Sequence, residues 1–423
     1  MTNASSGGRG FESRRPTTNL MARAFCRLST RAKQWILPDS TVAGRANGLD
    51  TLRATAIALV FMYHYMVFVS DQPTFGWASE VGWAGVDLFF VLSGYLIANQ
   101  IFAGLAKGRR VSLKFFYIRR AMRTWPAFWV VLAVYFIFPN QVGGDTLLPL
   151  WKYLTFTQNF GLHGGTSFSH AWSLCIEEQF YFVLPILVLA GVWDAKPKAW
   201  ALMSILLGVG IASRTVLWFS HGQLKGGYYP YIYYATLCRF DEFLPGIAVA
   251  MIKSFYPSTW DALTKRGHSI LAVGLIITAV MLVLADRLYL VKGYGYGLFM
   301  TSVGFSMLAI AFSVLIIAAL SPSSWLHRVR IPGAYHVALW SYSVYLSHKA
   351  IATFVKQQFV RWDLPQAWML AAITMACLLA GWMLSSVVEA PFMRLRNRLA
   401  PTIFSAAPGL LPKTEPSRAA SMR

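Results

Sequence analysis

Charged residues are scarce in this sequence compared with a soluble protein. Asp, Glu, Lys and Arg together make up 13% of its 423 residues, whereas soluble domains carry roughly 25%. Hydrophobic residues make up 56% and aromatic residues 15%. So few charges do not cover a soluble globular surface. The composition therefore excludes that class and indicates a protein that lies within a membrane.

Cysteine and acidic residues are also few. The four cysteines, Cys26, Cys175, Cys238 and Cys377, are far apart and form no CxxC pair. This spacing predicts no disulfide framework, no thiolate metal site and no cysteine nucleophile, and we expect no metal cofactor. Acidic residues number 17 against 38 Lys and Arg, which gives a formal net charge of +21.

Long apolar runs dominate the rest of the chain. A helix needs roughly 20 apolar residues to cross a hydrocarbon core about 30 Å thick. Ten runs approach that length: Leu52–Ser70, Trp83–Gly104, Trp125–Phe138, Trp172–Trp193, Trp200–Phe219, Ile232–Ile252, Ser269–Ala285, Leu298–Leu320, Tyr335–Val355 and Trp368–Val388. They are continuous rather than alternating, which favours helices over a β-barrel. The sequence thus predicts an all-α fold, a polytopic membrane bundle of about ten transmembrane helices.

Basic residues divide unevenly among the loops between these runs. They concentrate in both tails and in alternate loops such as the stretch 107–123, and Lys and Arg are retained on the cytoplasmic side of short loops. This asymmetry predicts that both termini are cytoplasmic and that the number of spans is even. A basic chain can also bind nucleic acid, but topology better explains charge that flanks apolar runs, so no nucleic-acid partner is expected.

The chain is predicted to have three parts: a basic cytoplasmic tail over residues 1–48, a membrane domain over 49–398 and a second cytoplasmic tail over 399–423. The first tail holds no hydrophobic signal-peptide core, so the first span is expected to act as the insertion signal. Between residues 21 and 36, apolar residues recur at helical spacing opposite three arginines. This pattern is typical of an amphipathic helix on an anionic membrane surface. A disordered tail and an organellar transit peptide are the alternatives.

The first span carries two ionisable residues, Arg53 and His64. They are eleven positions apart, which is three helical turns and about 16 Å of rise, so both lie on roughly one face. Ionisable groups inside a membrane are costly and usually have a function. His64, near mid-depth, is either a packing residue among aromatics, a general base on a hydroxyl or a covalent relay.

Arg120 and Arg123 are three positions apart on the helix that enters the third span. Side chains at this spacing point the same way, and paired guanidinium groups bind phosphate bidentately. A phosphorylated donor on the cytoplasmic side is one interpretation of the pair. Retention of positive charge on that side is the other.

Two adjacent carboxylates, Glu177 and Glu178, lie in the external half of the fourth span. They are expected to pair with Arg53, Arg214 or Arg239, or to bind sugar hydroxyls. In the second span, Asp87 is expected either to orient the histidine of the first span or to cap its own helix.

Two further positions rank below these. Arg239 lies beside Asp241 and Glu242 in the sixth span, and together they predict a self-neutralising cluster. His348 is isolated in the ninth span.

The segments that carry these residues resemble the acyltransferase-3 family of membrane O-acyltransferases. Five motifs occur in family order: Arg53-x10-His64, Gly-Val-Asp-Leu-Phe-Phe-Val-Leu-Ser-Gly-Tyr over 85–95, Arg120-x-x-Arg123, Trp-Ser-Leu-x-x-Glu-Glu-Gln-Phe-Tyr over 172–181, and Ser-Tyr-Ser-Val-Tyr-Leu-Ser-His over 341–348. The match runs from about Gly48 to Arg398. In the last motif, Ser347 replaces a residue that is often bulkier in the family, which leaves the role of His348 open.

The resemblance implies transfer of an acyl group, usually acetyl, from cytoplasmic acetyl-CoA to a carbohydrate hydroxyl at or beyond the outer face. Carried over by position, His64 is catalytic, Glu177 belongs to the catalytic site, and Arg53, Arg120 and Arg123 serve the donor. Supporting roles fall to Asp87, Glu178, Tyr181, Arg239 and His348. Many family members carry a hydrolase-like domain after the bundle, and this chain is expected to be the stand-alone form.

The implied partners are acyl-CoA, a carbohydrate or glycolipid acceptor and membrane lipid, and the implied location is the bacterial inner membrane. In the expected mechanism, His64 deprotonates the acceptor hydroxyl for attack on the thioester, or forms an acyl-histidine intermediate, and Glu177 orients His64 or the acceptor. The alternative is a secondary transporter of a small polar solute, because buried Arg, His and Glu also line substrate paths. The sequence does not distinguish among acceptor sugars, acyl groups or oligomeric states.

Overall fold

The computed structural model describes residues 47–191, 193, 196–361 and 365–404. The amphipathic helix predicted in the amino tail lies outside these residues, as does the carboxyl tail from residue 405. Within the described chain, eleven helices have ten residues or more: α1 Asn47–Tyr65, α2 Ala84–Leu105, α3 Leu113–Ile137, α4 Trp172–Leu189, α5 Lys196–Leu217, α6 Leu244–Phe255, α7 Gly267–Leu288, α8 Phe305–Leu320, α9 Ala334–Arg361, α10 Gln366–Leu384 and α11 Ala390–Leu399.

Shorter elements connect or extend these helices. Short α-helices occupy Trp77–Glu80, Pro139–Val142, Leu150–Leu154, Pro257–Lys265 and Trp325–Arg328. Turns of π-helix occupy Met66–Ser70, Trp218–Gly222, Tyr229–Tyr233, Met300–Gly304 and Ser385–Glu389, and 3₁₀ turns occupy Ser169–Ala171, Thr236–Cys238 and Phe240–Phe243. One antiparallel hairpin pairs Leu290–Val291 with Gly295–Tyr296.

Seven helical segments of the described chain are long and apolar enough to cross a membrane: Asn47–Ser70, Ala84–Leu105, Ser169–Leu189, Lys196–Gly222, Gly267–Leu288, Met300–Leu320 and Gln366–Leu399. Helices α3 and α9 are also long, at 25 and 28 residues, but both carry several basic residues. The prediction of an all-α polytopic membrane bundle is confirmed. The even number of spans and the cytoplasmic termini stay predictions.

The sixth predicted span, Ile232–Ile252, is not one helix. A π turn and two 3₁₀ turns precede α6, which has only 12 residues. Pro230 and Pro245 are the second residues of the π turn and of α6, within the first turn, where proline, which has no N–H to donate, is tolerated. Irregular backbone at membrane depth persists only where it is buried in protein or lines a cavity.

Helices α2 and α6 pack very closely. A Cβ atom added at Gly246 would lie 2.1 Å from the carbonyl oxygen of Val91, and one added at Gly94 would lie 2.3 Å from that of Phe243. Only glycine permits this approach, which brings the backbones of two helices into direct contact. The contact fixes the irregular segment before α6 against the centre of the bundle.

A fully buried ion cluster lies where α2, α5 and this segment meet. Arg214 and Asp241 approach to 2.6 Å, Arg239 and Glu242 to 2.7 Å, and Arg239 and Asp87 to 3.2 Å. The predicted self-neutralising cluster is therefore present, and it is larger than predicted. Asp87 was expected to orient His64 or to cap its own helix. Both expectations are wrong, because its carboxylate pairs with Arg239 and does not cap α2.

Candidate active site

A first cavity, here called the arginine chamber, lies between α1, α2, α3, α4 and α9. Its polar lining comprises Arg53, Ser93, Arg120, Arg123, Thr124, Ser173, Glu177, Tyr181, Ser341, Tyr342 and Tyr345. The chamber exists because α1 brings Arg53 opposite the two arginines that α3 carries one turn apart. The structure thus brings together the three arginines that the sequence assigned to a donor.

The two arginines of α3 differ in how they are held. Arg123 lies 3.2 Å from a carboxylate oxygen of Glu389, whose other oxygen accepts a hydrogen bond from Ser343. The guanidinium carbon of Arg120 lies 4.0 Å from the ring centre of Tyr181, and its Nε has no hydrogen-bond partner among the described residues. Arg120 thus packs on an aromatic ring, whereas Arg123 pairs with a carboxylate.

Glu177 belongs to the arginine chamber. Its two carboxylate oxygens accept hydrogen bonds from Ser93 at 3.1 Å and Tyr181 at 2.8 Å. The expectation that Glu177 orients His64 is wrong, because both of its oxygens are bound within this chamber. The expected pairing with Arg214 or Arg239 is also wrong, since those arginines bind the carboxylates of the buried ion cluster.

Glu178 faces another side of α4. Consecutive residues on a helix point in different directions, and one oxygen of Glu178 accepts a hydrogen bond from the indole of Trp125 at 3.1 Å. This side chain lines a separate, mostly apolar cavity between α3 and α4. The adjacent carboxylates of the motif therefore have different surroundings.

A second cavity, here called the histidine chamber, lies beside the first. Its aromatic lining comprises Tyr63, His64, Phe68, Trp83, His170, Trp172, Tyr229, Tyr233 and Tyr234, and Val86 lines both chambers. Trp172 faces the histidine chamber, whereas its neighbour Ser173 faces the arginine chamber. A thin wall of side chains therefore separates the two.

His348 is not isolated, because α9 packs along α1 and brings it to His64. Nδ1 of His64 lies 2.7 Å from Nε2 of His348, and the two rings meet edge to edge, with centroids 4.9 Å apart and planes 10° apart. The two histidines are 284 residues apart in the sequence. The structure joins them into one pair.

The hydrogen bonds determine which nitrogen of each ring carries the proton. Nδ1 of His348 lies 2.8 Å from the carbonyl oxygen of Tyr345 and 3.1 Å from that of Val344, and a carbonyl only accepts. In the neutral ring, Nε2 of His348 is then an acceptor and receives the Nδ1 proton of His64. Nε2 of His64 keeps a free lone pair, which is a proton acceptor.

Sequence reasoning missed a third histidine, His170. Its ring centroid lies 5.0 Å from that of His348 and 6.2 Å from that of His64. Its Nε2 donates to the carbonyl of Leu346 at 3.1 Å. The backbone reaches this position through a left-handed φ of 55° at Phe168, a conformation that is uncommon outside glycine. The one available signal was that His170 stands just before the fourth predicted span.

Lys349 and Glu389 were also missed. Lys349 is buried and donates to the carbonyl of Thr166 at 3.2 Å and to the hydroxyl of Ser169 at 3.0 Å, which ties α9 to the loop that carries His170. Glu389 lies one residue past the tenth predicted span. The only signal for Lys349 in the sequence was its position next to His348. The only signal for Glu389 was its position at the end of a predicted span.

The wall between the chambers contains a chain of hydrogen bonds. The hydroxyl of Tyr345 donates to the carbonyl of His170 at 2.6 Å. Because its one proton is used there, Ser173 donates to the Tyr345 oxygen, also at 2.6 Å. A molecule that reaches from the arginine chamber toward His64 passes this chain and Val86.

A five-helix cavity lined by arginines, beside a histidine with a free lone pair, has the features of a group-transfer site within a membrane. Residues 46–387 match a family model described as "Acyltransferase domain", so the chain belongs to that family of acyltransferases.

Three relatives illustrate the likeness. The chain is 29% identical to a peptidoglycan O-acetyltransferase of Listeria monocytogenes, over 72% of this chain and 49% of the relative. It is 27% identical to a putative O-acetyltransferase of Staphylococcus aureus, over 75% and 52%. It is 28% identical to a putative peptidoglycan O-acetyltransferase of Bacillus subtilis, over 71% and 48%. The chain thus spans about half the length of these relatives.

Proposed function

We propose that this protein is a multi-pass O-acyltransferase of the bacterial inner membrane. It moves an acyl group from cytoplasmic acyl-CoA to a hydroxyl of a carbohydrate or glycolipid at the outer face, and acetyl is the acyl group we propose. The observation that carries the proposal is the free lone pair on Nε2 of His64, in a cavity that adjoins the arginine chamber at Val86. The names of the relatives support acetyl as the group and make peptidoglycan the first acceptor to test.

Arg53, Arg120 and Arg123 bind the phosphates of CoA in this proposal. Guanidinium groups bind phosphate through paired, charge-assisted hydrogen bonds. All three arginines line the arginine chamber, which supports this role. Glu389 positions Arg123 through the 3.2 Å ion pair. The pantetheine arm then passes Val86, and the thioester carbonyl lies beside His64.

Nε2 of His64 takes the proton of the acceptor hydroxyl while the hydroxyl oxygen attacks the thioester carbonyl. The C–S bond breaks, the new C–O bond forms, and the CoA thiolate leaves with the proton that His64 returns. His348 positions His64, since its Nε2 fixes the Nδ1 proton of His64. Attack by Nε2 itself, which would form an acyl-histidine, uses the same lone pair.

Transfer of radiolabel from acetyl-CoA to envelope glycans, in membranes that contain the protein, tests this function. We expect His64→Ala to abolish the label in glycan while acetyl-CoA still binds. His336→Ala, an exposed histidine near the start of α9, is the matched control and should behave as the native protein. Label in glycan with His64→Ala would exclude His64 from the mechanism. Uptake of an unchanged solute without transfer would identify a transporter instead.

A further inference from the structure

One part of the histidine chamber, which His64 also lines, is formed by tyrosines of one irregular segment. This tyrosine segment, Tyr228–Tyr234, contains the π turn Tyr229–Tyr233 and replaces the beginning of the predicted sixth span. A π turn inside a helical protein often marks a functional site. Three of its tyrosines line the histidine chamber.

The rings of the segment are fixed from behind. Tyr228 stacks on Tyr296 with centroids 3.5 Å apart and planes 8° apart. The guanidinium carbon of Arg239 lies 4.8 Å from the ring centre of Tyr233, and the ring centroids of Tyr234 and Trp172 are 5.3 Å apart. These contacts hold the aromatic faces rigid, so a ligand meets a preformed surface.

Two hydroxyl groups of this surface are available. Among the described residues, the hydroxyls of Tyr233 and Tyr234 have no hydrogen-bond partner in the protein, and neither is sealed from the chamber. The hydroxyl of Tyr228, by contrast, bonds to Thr301 at 3.2 Å. Polar groups that line a cavity without protein partners are suited to hydrogen bonds with a ligand.

The lining carries no formal charge. Among the described residues that line the histidine chamber there is no Asp, Glu, Lys or Arg. Two cations lie behind the lining, and both have partners: Lys349 donates to the hydroxyl of Ser169 and the carbonyl of Thr166, and Arg239 pairs with acidic residues of the buried ion cluster. A carboxylate or phosphate on the ligand would lose its hydration here without a charged group in the lining to bind.

We propose that the histidine chamber binds one uncharged sugar residue of the acceptor, with the apolar face of the sugar ring on the tyrosine segment and its hydroxyls on Tyr233 and Tyr234. The negative face of an aromatic ring attracts the electropositive C–H groups of a sugar. This inference rests on the proposed function, and it restricts the acceptor to glycans that present a neutral residue at the acylated position.

Binding of two soluble saccharides to the full-length protein in lipid nanodiscs tests the proposal. The probes are chitotriose, which is uncharged, and trigalacturonate, an anion of similar size. We expect tighter binding of chitotriose than of trigalacturonate. Tyr234→Ala should weaken chitotriose binding about three- to tenfold, Tyr234→Phe should weaken it less, and neither should change the Kd for acetyl-CoA.

Tyr231→Ala is the matched control, because Tyr231 belongs to the same segment but is exposed and packs on His221. It should leave the binding of both probes unchanged. Preference for the anion, no binding of chitotriose, or equal effects of Tyr231→Ala and Tyr234→Ala would each overturn the proposal. Acetyl transfer that depends on His64 would still stand in those cases, so the two proposals fail separately.

Discussion

The two chambers hold their polar groups in different ways. In the arginine chamber, charged groups bind other side chains, as Arg123 does with Glu389 at 3.2 Å. At the histidine chamber, neutral rings donate to backbone carbonyls, as the lining residue His170 does at Leu346 and as His348, the partner of His64, does at Tyr345. Side-chain ion pairs can exchange partners with a charged ligand, whereas backbone carbonyls stay in place and fix tautomers. The difference suits one chamber to binding a charged donor and the other to moving a proton.

The buried ion cluster is a third way of holding charge within the same bundle. Its arginines, Arg214 and Arg239, are completely inaccessible and pair with carboxylates, and neither lines one of the two chambers. Burial of charge by itself therefore does not mark a functional site. Access to a cavity separates the arginines that can bind a ligand from those that stabilise the fold.

The largest expected effect comes from breaking this buried cluster. Asp241→Ala should destabilise the protein by about 3–5 kcal/mol, because Arg214 would keep a buried charge without its carboxylate. Thermal unfolding in detergent measures the change. Asp286→Ala is the control, since Asp286 pairs with the exposed Arg287 and such surface pairs contribute about 0–1 kcal/mol. Equal losses for the two variants would contradict a structural role for the cluster.

The next largest effect tests the arginine chamber as a phosphate site. Arg120→Ala and Arg123→Ala should each weaken acetyl-CoA binding about ten- to hundredfold, because each removes charge-assisted hydrogen bonds. Calorimetry in nanodiscs measures the Kd. Arg109→Ala removes an exposed arginine outside the chamber and should leave the Kd unchanged. An unchanged Kd for the Arg120 and Arg123 variants would reject the donor site.

The sequence predicted the helices well, because backbone N–H and C=O groups in lipid must bond within the protein and continuous apolar runs therefore form helices. Each of the ten apolar runs coincides with a helical segment, except that the run at Ile232–Ile252 is interrupted before α6. Two charges of that segment, Asp241 and Arg239, pair with Arg214 and Asp87 on other helices. An apolar run does not reveal which other helices its charges meet, so this pairing was only partly predicted.

The sequence predicted several individual residues of the site but not their distances and contacts. The sequence singled out His64 and Arg120, yet it did not show that His348 would lie 2.7 Å from His64. The proton position on His64 depends on a backbone carbonyl of α9, a group that every residue carries and no motif reveals. Glu177 was misplaced for a related reason, because depth along α4 does not tell which cavity a side chain faces.

A smaller effect is expected from the histidine pair. His348→Ala removes the group that fixes the Nδ1 proton of His64. Partners that fix the tautomer of a metal-bound histidine account for about ten- to a hundredfold in activity, which sets the expected scale here. We expect kcat for transfer to fall by that factor with no change in the Kd for acetyl-CoA. His348→Gln can still accept the Nδ1 proton and should restore part of the rate. A fall in donor binding without a fall in kcat would assign His348 to packing instead.

The smallest effect separates the chambers most sharply, because two tyrosines that line the arginine chamber, one turn apart on α9, bond to different elements. The hydroxyl of Tyr342 donates to the carbonyl of Thr124 on α3 at 2.7 Å, whereas that of Tyr345 donates to the carbonyl of His170 at 2.6 Å. A neutral hydrogen bond contributes about 0.5–1.5 kcal/mol, so each Tyr→Phe change should alter one constant about three- to tenfold.

Tyr342→Phe loosens α3 and should raise the Kd for acetyl-CoA while kcat stays near its native value. Tyr345→Phe loosens the backbone at His170 and should lower kcat while the Kd for acetyl-CoA stays unchanged. Titration of acetyl-CoA and single-turnover transfer, measured on both variants, give the two constants. If both variants changed the same constant, the chambers would act as one site, and the division between a charged donor region and a neutral proton-transfer region would not hold.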